Sequence, residues 1–251
     1  SPHPYAQMHI TASRIDRPKQ GKYFFIPHWP HPALIPRDIK RGYKFENAAA
    51  FGMSSNIANE FKNGLCEKRF SAMNLKWFYK SPKDWHDFSE VDVLIAIRSF
   101  NLKTKDYAHK SNQRLYNAWH ARVPAILDSG ANYQSERKSD LDYIKVNSVE
   151  EMLEALKHLK NDKELRHRMI KNGIKRAQET SVERIIKLWT SFFKNKAIPA
   201  YEQWSKKAYI FQKLYVKRCW LLIKAEAMIL YLRKMIGIYK KPRSRYGYFD
   251  Q

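Results

Sequence analysis

Residues 109–130 read HKSNQRLYNAWHARVPAILDSG, and they combine a helix-sized polar segment, a short apolar run and a turn. Leu115, Ala118 and Trp119 are spaced as one apolar side of a helix, which predicts packing onto a sheet. The run VPAIL at 123–127 follows at once and has the composition of a buried strand. A helix that leads directly into such a strand is the repeating unit of an α/β fold.

The same alternation of short apolar runs and helical patterns continues from residue 45 to residue 195. Helices are predicted at 56–64, 112–121 and 148–160. Because parallel strands joined by helices form a doubly wound sheet, we predict a Rossmann-like α/β domain over 45–195. The five runs that predict its strands are 48–52, 75–79, 91–97, 123–127 and 143–146.

Residues 1–44 form a different zone, rich in proline, histidine and aromatic residues. Its prolines exclude a continuous helix, so we predict one short strand, Tyr23 to Ile26, followed by an extended connection. His28 lies between two prolines in IPHWP. It is a candidate catalytic acid, base or phosphate donor because histidine titrates near neutral pH. A packed structural histidine is the alternative.

Residues 196–251 form a basic, aromatic tail, in which a long helix is predicted from about 201 to 238 after a break at Pro199. Between 187 and 245 the chain carries fifteen Lys/Arg and two Asp/Glu, more than half of its net charge of +23. Aromatic residues alternate with these cations, as in helices that lie on anionic membranes. We therefore expect 200–245 to contact an anionic membrane surface; a solvated or core-packed helix is the alternative.

Composition excludes several other classes of protein. The content of 44% hydrophobic residues supports a packed core. Cys66 and Cys219 give neither a disulfide framework nor metal-site spacing, so we predict no metal and no cofactor. The sequence contains neither a signal peptide nor an apolar run long enough for a transmembrane helix. We expect a cytoplasmic protein that is peripheral on the inner face of the membrane where its tail meets lipid.

Open α/β sheets bind ligands beyond the carboxyl ends of their strands, and this rule selects candidate site residues. Gly52 ends the first predicted strand, where a small residue lets the backbone approach a phosphate at a helix N-terminus; an ordinary capped turn is the alternative. Arg98 follows the third strand, where a buried guanidinium needs a bound anion or a structural ion pair. Ser129 and Gly130 follow the fourth strand at the same edge.

The polar side of the helix predicted at 112–121 carries a second group of candidates. Lys110 and Arg114 are four residues apart, and Asn117 lies near the same side. Like charges at that spacing repel unless an anion lies between them, which predicts a diphosphate; a solvated charged face is the alternative. Tyr133 and Glu136 follow the DSG turn, and we expect them either to hydrogen-bond a ribose or sugar hydroxyl or to cap the next helix.

Three segments carry a resemblance to a known family: IPHWPHPALIPRD at 26–38, LYNAWHARVPAIL at 115–127 and NSVEEMLEALKHLKNDKELRHRMIKNGIKRAQETSVERIIKLWTSFF at 147–193. In this order they resemble the C-terminal, donor-binding domain of GT-B glycosyltransferases, and one bacterial group of glycosyltransferase-like proteins in particular. The resemblance covers about 23–194. It implies a nucleotide-diphosphate sugar at the carboxyl edge of the sheet. It also implies that cations such as Arg98 and Lys110 stabilise the leaving diphosphate without a metal ion.

The chain departs from the family pattern at several points. Many relatives carry two glutamates eight residues apart where this chain has His109 and Asn117, and Arg122 replaces the customary glycine before the VP pair. A GT-B enzyme also needs a first domain for the acceptor, and 1–44 is too short to provide one. We therefore expect a fragment, a chain completed by a separate acceptor domain, or a degenerate binding module.

Three functions remain open at this stage. The first is a glycosyltransferase, or its donor-binding half, that transfers a sugar from a nucleotide-diphosphate sugar to a glycan or lipid-linked acceptor. The second is a nucleic-acid-binding protein, and the third is a non-catalytic, membrane-associated module. The cations concentrate in the tail instead of spreading over the sheet domain, which disfavours nucleic acid as a partner. We predict the first function.

Overall fold

Seven strands form two sheets in the part of the chain that the structure describes. The computed structural model describes residues 3, 5–15, 22–53, 57–62, 64–100, 102 and 107–236. A two-stranded sheet pairs β1 (Met8–Thr11) with β2 (Lys22–Phe25). The larger sheet is parallel and five-stranded, in the order β4-β3-β5-β6-β7. Its strands are β3 (Asn47–Phe51), β4 (Lys76–Lys80), β5 (Val93–Ala96), β6 (Ala125–Asp128) and β7 (Ile144–Val146).

The five strands predicted for the parallel sheet are confirmed, each within two residues at either end. The three central strands, β3, β5 and β6, are buried on both faces, as a parallel sheet covered by helices requires. Successive residues of β5 alternate between two buried clusters: Val93 and Ile95 belong to one, and Leu94 and Ala96 to the other. Because neighbouring side chains of a strand point to opposite faces, this alternation places a separate core on each side of the sheet.

Helices cover both faces of this sheet. They are α1 (Leu65–Ala72), α2 (Gln113–Ala121), α3 (Ala131–Glu136), α4 (Val149–Asn161) and α5 (Lys163–Ala177), and α6 (Val182–Phe192) follows them. Phe70 of α1 and Leu156 of α4 pack in the cluster of Val93, whereas Leu115 of α2 and Tyr133 of α3 pack in the cluster of Leu94. The predicted doubly wound α/β fold is therefore confirmed.

The helix predicted at 112–121 is confirmed as α2, and its C-terminus explains one departure from the family pattern. Arg122 adopts a left-handed conformation (φ +60°, ψ +43°), and its N–H donates to the carbonyl oxygens of Ala118 and Trp119. Glycine is the usual residue at this position of a helix end because it adopts that conformation without steric cost. The chain keeps the same backbone turn with an arginine in its place.

The helix predicted at 56–64 is wrong. Asn59–Phe61 forms only a 3-10 turn, and α1 begins at Leu65. The N–H of Ala58 donates to the carbonyl oxygen of Ile97 at 3.0 Å, so this segment is hydrogen-bonded to the chain beyond β5 instead of to its own preceding turn. Residues 56 and 63 of the predicted helix lie outside the described residues. The helix predicted at 148–160 is confirmed as α4, with the Ser148 hydroxyl accepting from the N–H of Glu151.

The tail is helical, but not as predicted. α6 continues through a π-helical segment, Phe193–Ala197, into α7 (Ile198–Ser205), and α8 (Tyr209–Met235) follows. The predicted break at Pro199 is wrong, because Pro199 stands in the first turn of α7, where its missing N–H is tolerated. The single helix predicted for 201–238 is two helices, and residues 237–251 lie outside the described residues.

The chain divides into two compact units, one formed by 11–16 and 25–188 and the other by 1–10, 17–24 and 189–251. In the second unit the ring of Phe24 meets Phe192 edge-on at 5.1 Å. The predicted domain limits at 44 and 195 stay predictions. None of the helices in the described part of the chain combines the length and apolar content that crossing a membrane requires.

Candidate functional site

The order of the parallel sheet creates a crevice between two of its strands. From β3 the chain passes to β4 on one side, and then to β5, β6 and β7 on the other side of β3. The connections beyond the carboxyl ends of β3 and β5 therefore lead in opposite directions, and open α/β sheets bind ligands at such a switch point. Gly52 directly follows β3, and Arg98 lies two residues beyond β5.

A cavity of about 220 Å³ lies at this switch point. Five of the residues proposed from the sequence line it: Gly52, Arg98, Lys110, Arg114 and Asn117. The remaining lining residues are His31, Phe51, Trp85, Ser111 and Gln113. Three lining side chains are Lys or Arg, and none of these ten residues is acidic. The predicted roles of the five residues in ligand binding stay predictions.

Arg98 is largely buried, with 8% of its side chain exposed. Its guanidinium lies between the rings of Tyr107 and Tyr133, at 4.9 and 4.8 Å from their centroids. Its Nη1 atom has no hydrogen-bond partner among the described residues, and Asp128 Oδ2 is 3.8 Å away. An arginine held in one place with an unused donor is arranged to receive an anion.

Asp128, at the end of β6, is fully buried beside Arg98. Its Oδ2 accepts from the backbone N–H of Arg98 at 2.8 Å, and its Oδ1 accepts from the N–H of Gly130 at 2.9 Å. Burial raises the pKa of this carboxyl, although Arg98, the N–H bonds and Arg114 act in the opposite direction. Asp128 thus aligns the backbone at the ends of β5 and β6, and it only partly neutralises the nearby arginines.

Gly52 lines the cavity, and its contacts give a second reason for a glycine at this position. Its φ of +147° is rarely adopted by other residues, and a Cβ atom there would overlap the guanidinium of Arg114. The hydroxyl of Tyr79 donates to the carbonyl oxygen of Gly52. The absence of a side chain at Gly52 therefore makes room for Arg114 at the cavity wall. The guanidinium of Arg114 lies close to the backbone of Gly52.

The N-terminus of α2 stands at the same cavity. Asn112 precedes the helix without a side-chain hydrogen bond to its first turn, and Ser111 and Gln113 on either side line the cavity. Free N–H groups at a helix N-terminus, together with the helix dipole, favour a bound anion. The side-chain cations and the N-terminus of α2 thus both favour a bound anion.

Asn117 holds a second segment at the cavity. Its Oδ1 accepts from the backbone N–H of His31 at 2.9 Å, across 86 positions of sequence. The ring of His31 stacks on His86 with centroids 5.9 Å apart, and its Nδ1 lies 2.6 Å from the carbonyl oxygen of Pro32. A carbonyl only accepts, so Nδ1 carries the proton and Nε2 is the available acceptor of the neutral ring.

The predicted catalytic candidate, His28, is not among the lining residues; His31, three positions later in the same proline-rich segment, is. His28 is exposed at the surface, and partial burial of its ring lowers its pKa. The sequence contained the same signal for both, since prolines flank each histidine. Which of the two histidines reaches the cavity depends on how residues 26–36 pack against α2, where Asn117 binds the N–H of His31.

Four other predicted residues do not line the cavity. The ring of Tyr133 is buried beneath Arg98, and Ser129 accepts from Gln134 through its carbonyl oxygen. Gly130 is packed so tightly that an added Cβ would lie 2.7 Å from Asp128 Oδ1. Glu136 is 3% exposed and pairs with Arg14 at 2.9 Å, so the expectation that it meets a sugar hydroxyl is corrected: its charge is already used inside the core.

Within the described residues no group of three or more His, Cys, Asp and Glu side chains is placed to hold a metal ion. No family model matches the chain, and no curated protein matches it.

The solved structures that match the chain at low sequence identity include the following three. A sucrose-phosphate synthase from Thermosynechococcus elongatus is 12% identical, with a TM-score of 0.54 over 75% of this chain and 58% of that one. The GtfA/B complex is 11% identical, with a TM-score of 0.49 over 75% and 45% of the two chains. AviGT4, a glycosyltransferase involved in avilamycin A biosynthesis, is 8% identical, with a TM-score of 0.39 over 74% and 67%.

These matches concern the fold. Over three-quarters of its length the chain is similar in fold to the sucrose-phosphate synthase, at low identity. This confirms the resemblance at the level of the fold. The chain spans about half the length of the first two of these proteins, which it matches over 45% and 58% of their chains.

Proposed function

We propose that this chain binds the diphosphate of a nucleotide sugar in the cavity at the switch point, as the donor-binding part of a glycosyltransferase. The sugar would pass to a glycan or lipid-linked acceptor. The observation that carries the proposal is the charge of the cavity: Arg98, Lys110 and Arg114 line it, and no acidic side chain stands among the lining residues described.

The state of Arg98 supports an anionic ligand. A buried guanidinium is costly unless its donors are satisfied, and its Nη1 has no acceptor within hydrogen-bond distance. The two flanking tyrosine rings fix the plane of the guanidinium without using its donors. A phosphate oxygen in the cavity would supply the missing acceptor in a geometry that arginine favours.

The size of the cavity supports a diphosphate as the group that is bound most tightly. Sites that enclose a whole drug-sized ligand occupy roughly 300–1,000 Å³, and this cavity measures about 220 Å³. The diphosphate would lie between the three cations and the N-terminus of α2. The nucleoside and the sugar would extend from it along the edge of the sheet.

The same residues suit the chemistry of glycosyl transfer. The bond between the anomeric carbon and the diphosphate oxygen breaks, its electron pair stays on the diphosphate, and the acceptor oxygen bonds to the anomeric carbon. Fixed cations stabilise the charge that develops on the leaving group. The acceptor hydroxyl gives its proton to a base; we assign this role to His31, whose Nε2 is the free acceptor when Nδ1 donates to Pro32.

Calorimetry with UDP, GDP and TDP on the intact chain tests the proposal. At least one of the three should bind, and Lys110→Ala should weaken that binding at least tenfold, about 1.4 kcal/mol. Lys157→Ala is the matched control, because Lys157 is an exposed lysine on α4 and the change in charge is the same. Hydrolysis of the corresponding nucleotide sugars extends the test to activity, with His31→Asn lowering turnover more than His28→Asn.

Two results would contradict the proposal. One is the absence of binding for all three nucleoside diphosphates. The other is steep, salt-dependent binding to duplex DNA without nucleotide binding, which would favour a nucleic-acid-binding protein instead.

A further inference from the structure

α8 exposes most of its apolar residues along its whole length. One of its sides contacts other described residues: Tyr215 donates to the carbonyl oxygen of Tyr5 at 3.1 Å and meets Trp204 edge-on, and Cys219 is buried. The last residue of α8 that is even partly buried is Ile223. At 1.5 Å per residue the helix is roughly 40 Å long, so a large part of it extends beyond these contacts.

Six of the exposed apolar residues of α8 form a stripe along one side of the helix, and others, such as Val216 and Leu230, lie outside it. Its members are Phe211, Leu214, Leu221, Met228, Leu232 and Met235, and each is more than half exposed. They follow one another at spacings of three, four and seven residues, which keeps them on one side of a helix. We call this set the apolar stripe. Exposed apolar surface of this extent on a folded protein marks a contact with a partner or a membrane.

A second side of α8 combines aromatic rings with cations. Lys213 lies 4.6 Å from the ring centroid of Tyr209, and Lys224 lies 5.7 Å from that of Trp220. The partners in each pair are four residues apart, so each stands one turn from the other on the same side. Aromatic rings and long cationic side chains are the residues that prefer the boundary between lipid chains and water.

The charge of α8 decides between the partners that an apolar stripe allows. The helix carries six Lys/Arg and one acidic residue, Glu226. A second copy of α8 in a coiled coil would bring the same cations alongside, with too few carboxylates for pairing. A phosphate backbone would satisfy the cations but leave the stripe in water. An anionic lipid surface satisfies both.

We propose that α8 lies flat on an anionic membrane surface, with the apolar stripe inserted among the lipid chains and its lysines and arginines at the headgroups. Burial of the stripe supplies the apolar contribution to binding, and the cations supply the attraction to anionic lipid. This proposal does not depend on the nucleotide-sugar site.

Co-sedimentation of the full chain with vesicles tests the proposal. The chain should pellet with vesicles of phosphatidylcholine and phosphatidylglycerol, less so at high salt, and should stay in the supernatant with phosphatidylcholine alone. The double variant Leu221→Glu, Met228→Glu should lower partitioning at least about tenfold, because two carboxylates enter the inserted stripe. The matched control is Ile39→Glu, Ile174→Glu, which makes the same change at two exposed apolar residues outside α8.

The proposal is overturned if the chain does not pellet with the anionic vesicles, or if both double variants lose binding equally. It is also overturned if sedimentation shows that the wild type is a dimer and that the α8 variant is a monomer, since the stripe would then be an interface between copies. Binding of nucleoside diphosphates should be unchanged in the α8 variant, which separates this test from that of the donor site.

Discussion

A buried charged side chain lies at each end of β5, and the two differ in how fully they are hydrogen-bonded. Asp92 stands immediately before the strand, and Arg98 lies two residues after it. Asp92 is surrounded by hydrogen-bond donors, whereas Arg98 keeps an unused donor at the cavity. The first end contributes stability, and the second lies where we propose that a ligand binds.

The amino end is fully compensated. Asp92 Oδ1 accepts from Arg37 at 2.9 Å, Oδ2 accepts from Arg41 at 2.7 Å, and the N–H groups of Glu46 and Asn47 donate to Oδ2 at 2.9 and 3.0 Å. Burial opposes ionisation, but these donors outweigh it and lower the pKa of Asp92. The carboxylate thus connects the start of β3 and residues 37–41 to the start of β5.

The carboxyl end is only partly compensated. Asp128 is the nearest carboxylate to Arg98, yet it bonds mainly to backbone N–H groups, and burial raises its pKa. The pKa values of the two buried carboxyls therefore shift in opposite directions on one sheet. Ligands of open α/β sheets bind at the carboxyl edge. Arg98, with its unused Nη1 donor, lies at that edge.

The largest expected effect is on stability at the amino end. Asp92→Asn keeps the shape of the side chain but removes the buried counter-charge that Arg37 and Arg41 share, so the free energy of unfolding should fall by about 3 kcal/mol. Urea denaturation followed by circular dichroism measures it. Asp140→Asn is the control, since that carboxylate is 92% exposed in its pair with Arg137 and should cost less than about 1 kcal/mol. Equal losses in both variants would remove the contrast between the two ends.

Arg98→Met tests the carboxyl end. It removes the cation and keeps most of the volume, so affinity for the nucleoside diphosphate should fall at least tenfold, about 1.4 kcal/mol. The accompanying loss of stability should be smaller than that of Asp92→Asn. Arg37→Met makes the same substitution at the amino end and should lower stability while leaving affinity unchanged. The comparison fails if Arg37→Met weakens nucleotide binding as much as Arg98→Met does.

The smallest expected effect is the acid dependence of stability. The pKa of Asp92 is lowered in the folded chain, so its contribution is complete above the unfolded value near 3.8 and is lost as pH falls through the folded value. The difference in unfolding free energy between the wild type and Asp92→Asn should therefore shrink below about pH 4. Urea titrations between pH 6 and pH 3 measure this difference. A difference that stays constant over this range would show that the charge of Asp92 is not what stabilises the amino end.

Much of the candidate site followed from the order of apolar runs along the chain. Once the runs at 48–52 and 91–97 are parallel neighbours, Gly52 and Arg98 must meet at one edge, whatever their contacts. Lys110 and Arg114 reach the same cavity because α2 begins there. These residues were predictable because each is positioned by the end of a regular element.

Other features depended on contacts that no local pattern reveals. The N–H of His31 is held by Asn117, and Glu136 is paired with Arg14 across 122 positions. The segment around Ala58 is bound to the carbonyl oxygen of Ile97 and does not continue as a helix. Sequence reasoning placed His28 and Glu136 at the ligand and a helix at 56–64 because it weighed neighbours in sequence and not partners in space.

The parallel α/β architecture followed from the sequence alone, and so did the carboxyl edge of the sheet as the place of Arg98, Lys110 and Arg114. Burial on both faces demands continuous apolar strands, and such strands with intervening helices allow few other arrangements. Which charged side chains have ion-pair partners became visible in the folded chain: Asp92 and Glu136 are paired, and Arg98 is not fully paired. The physical reason is that the cost of a buried charge depends on the donors and acceptors around it, and here these come from distant parts of the chain.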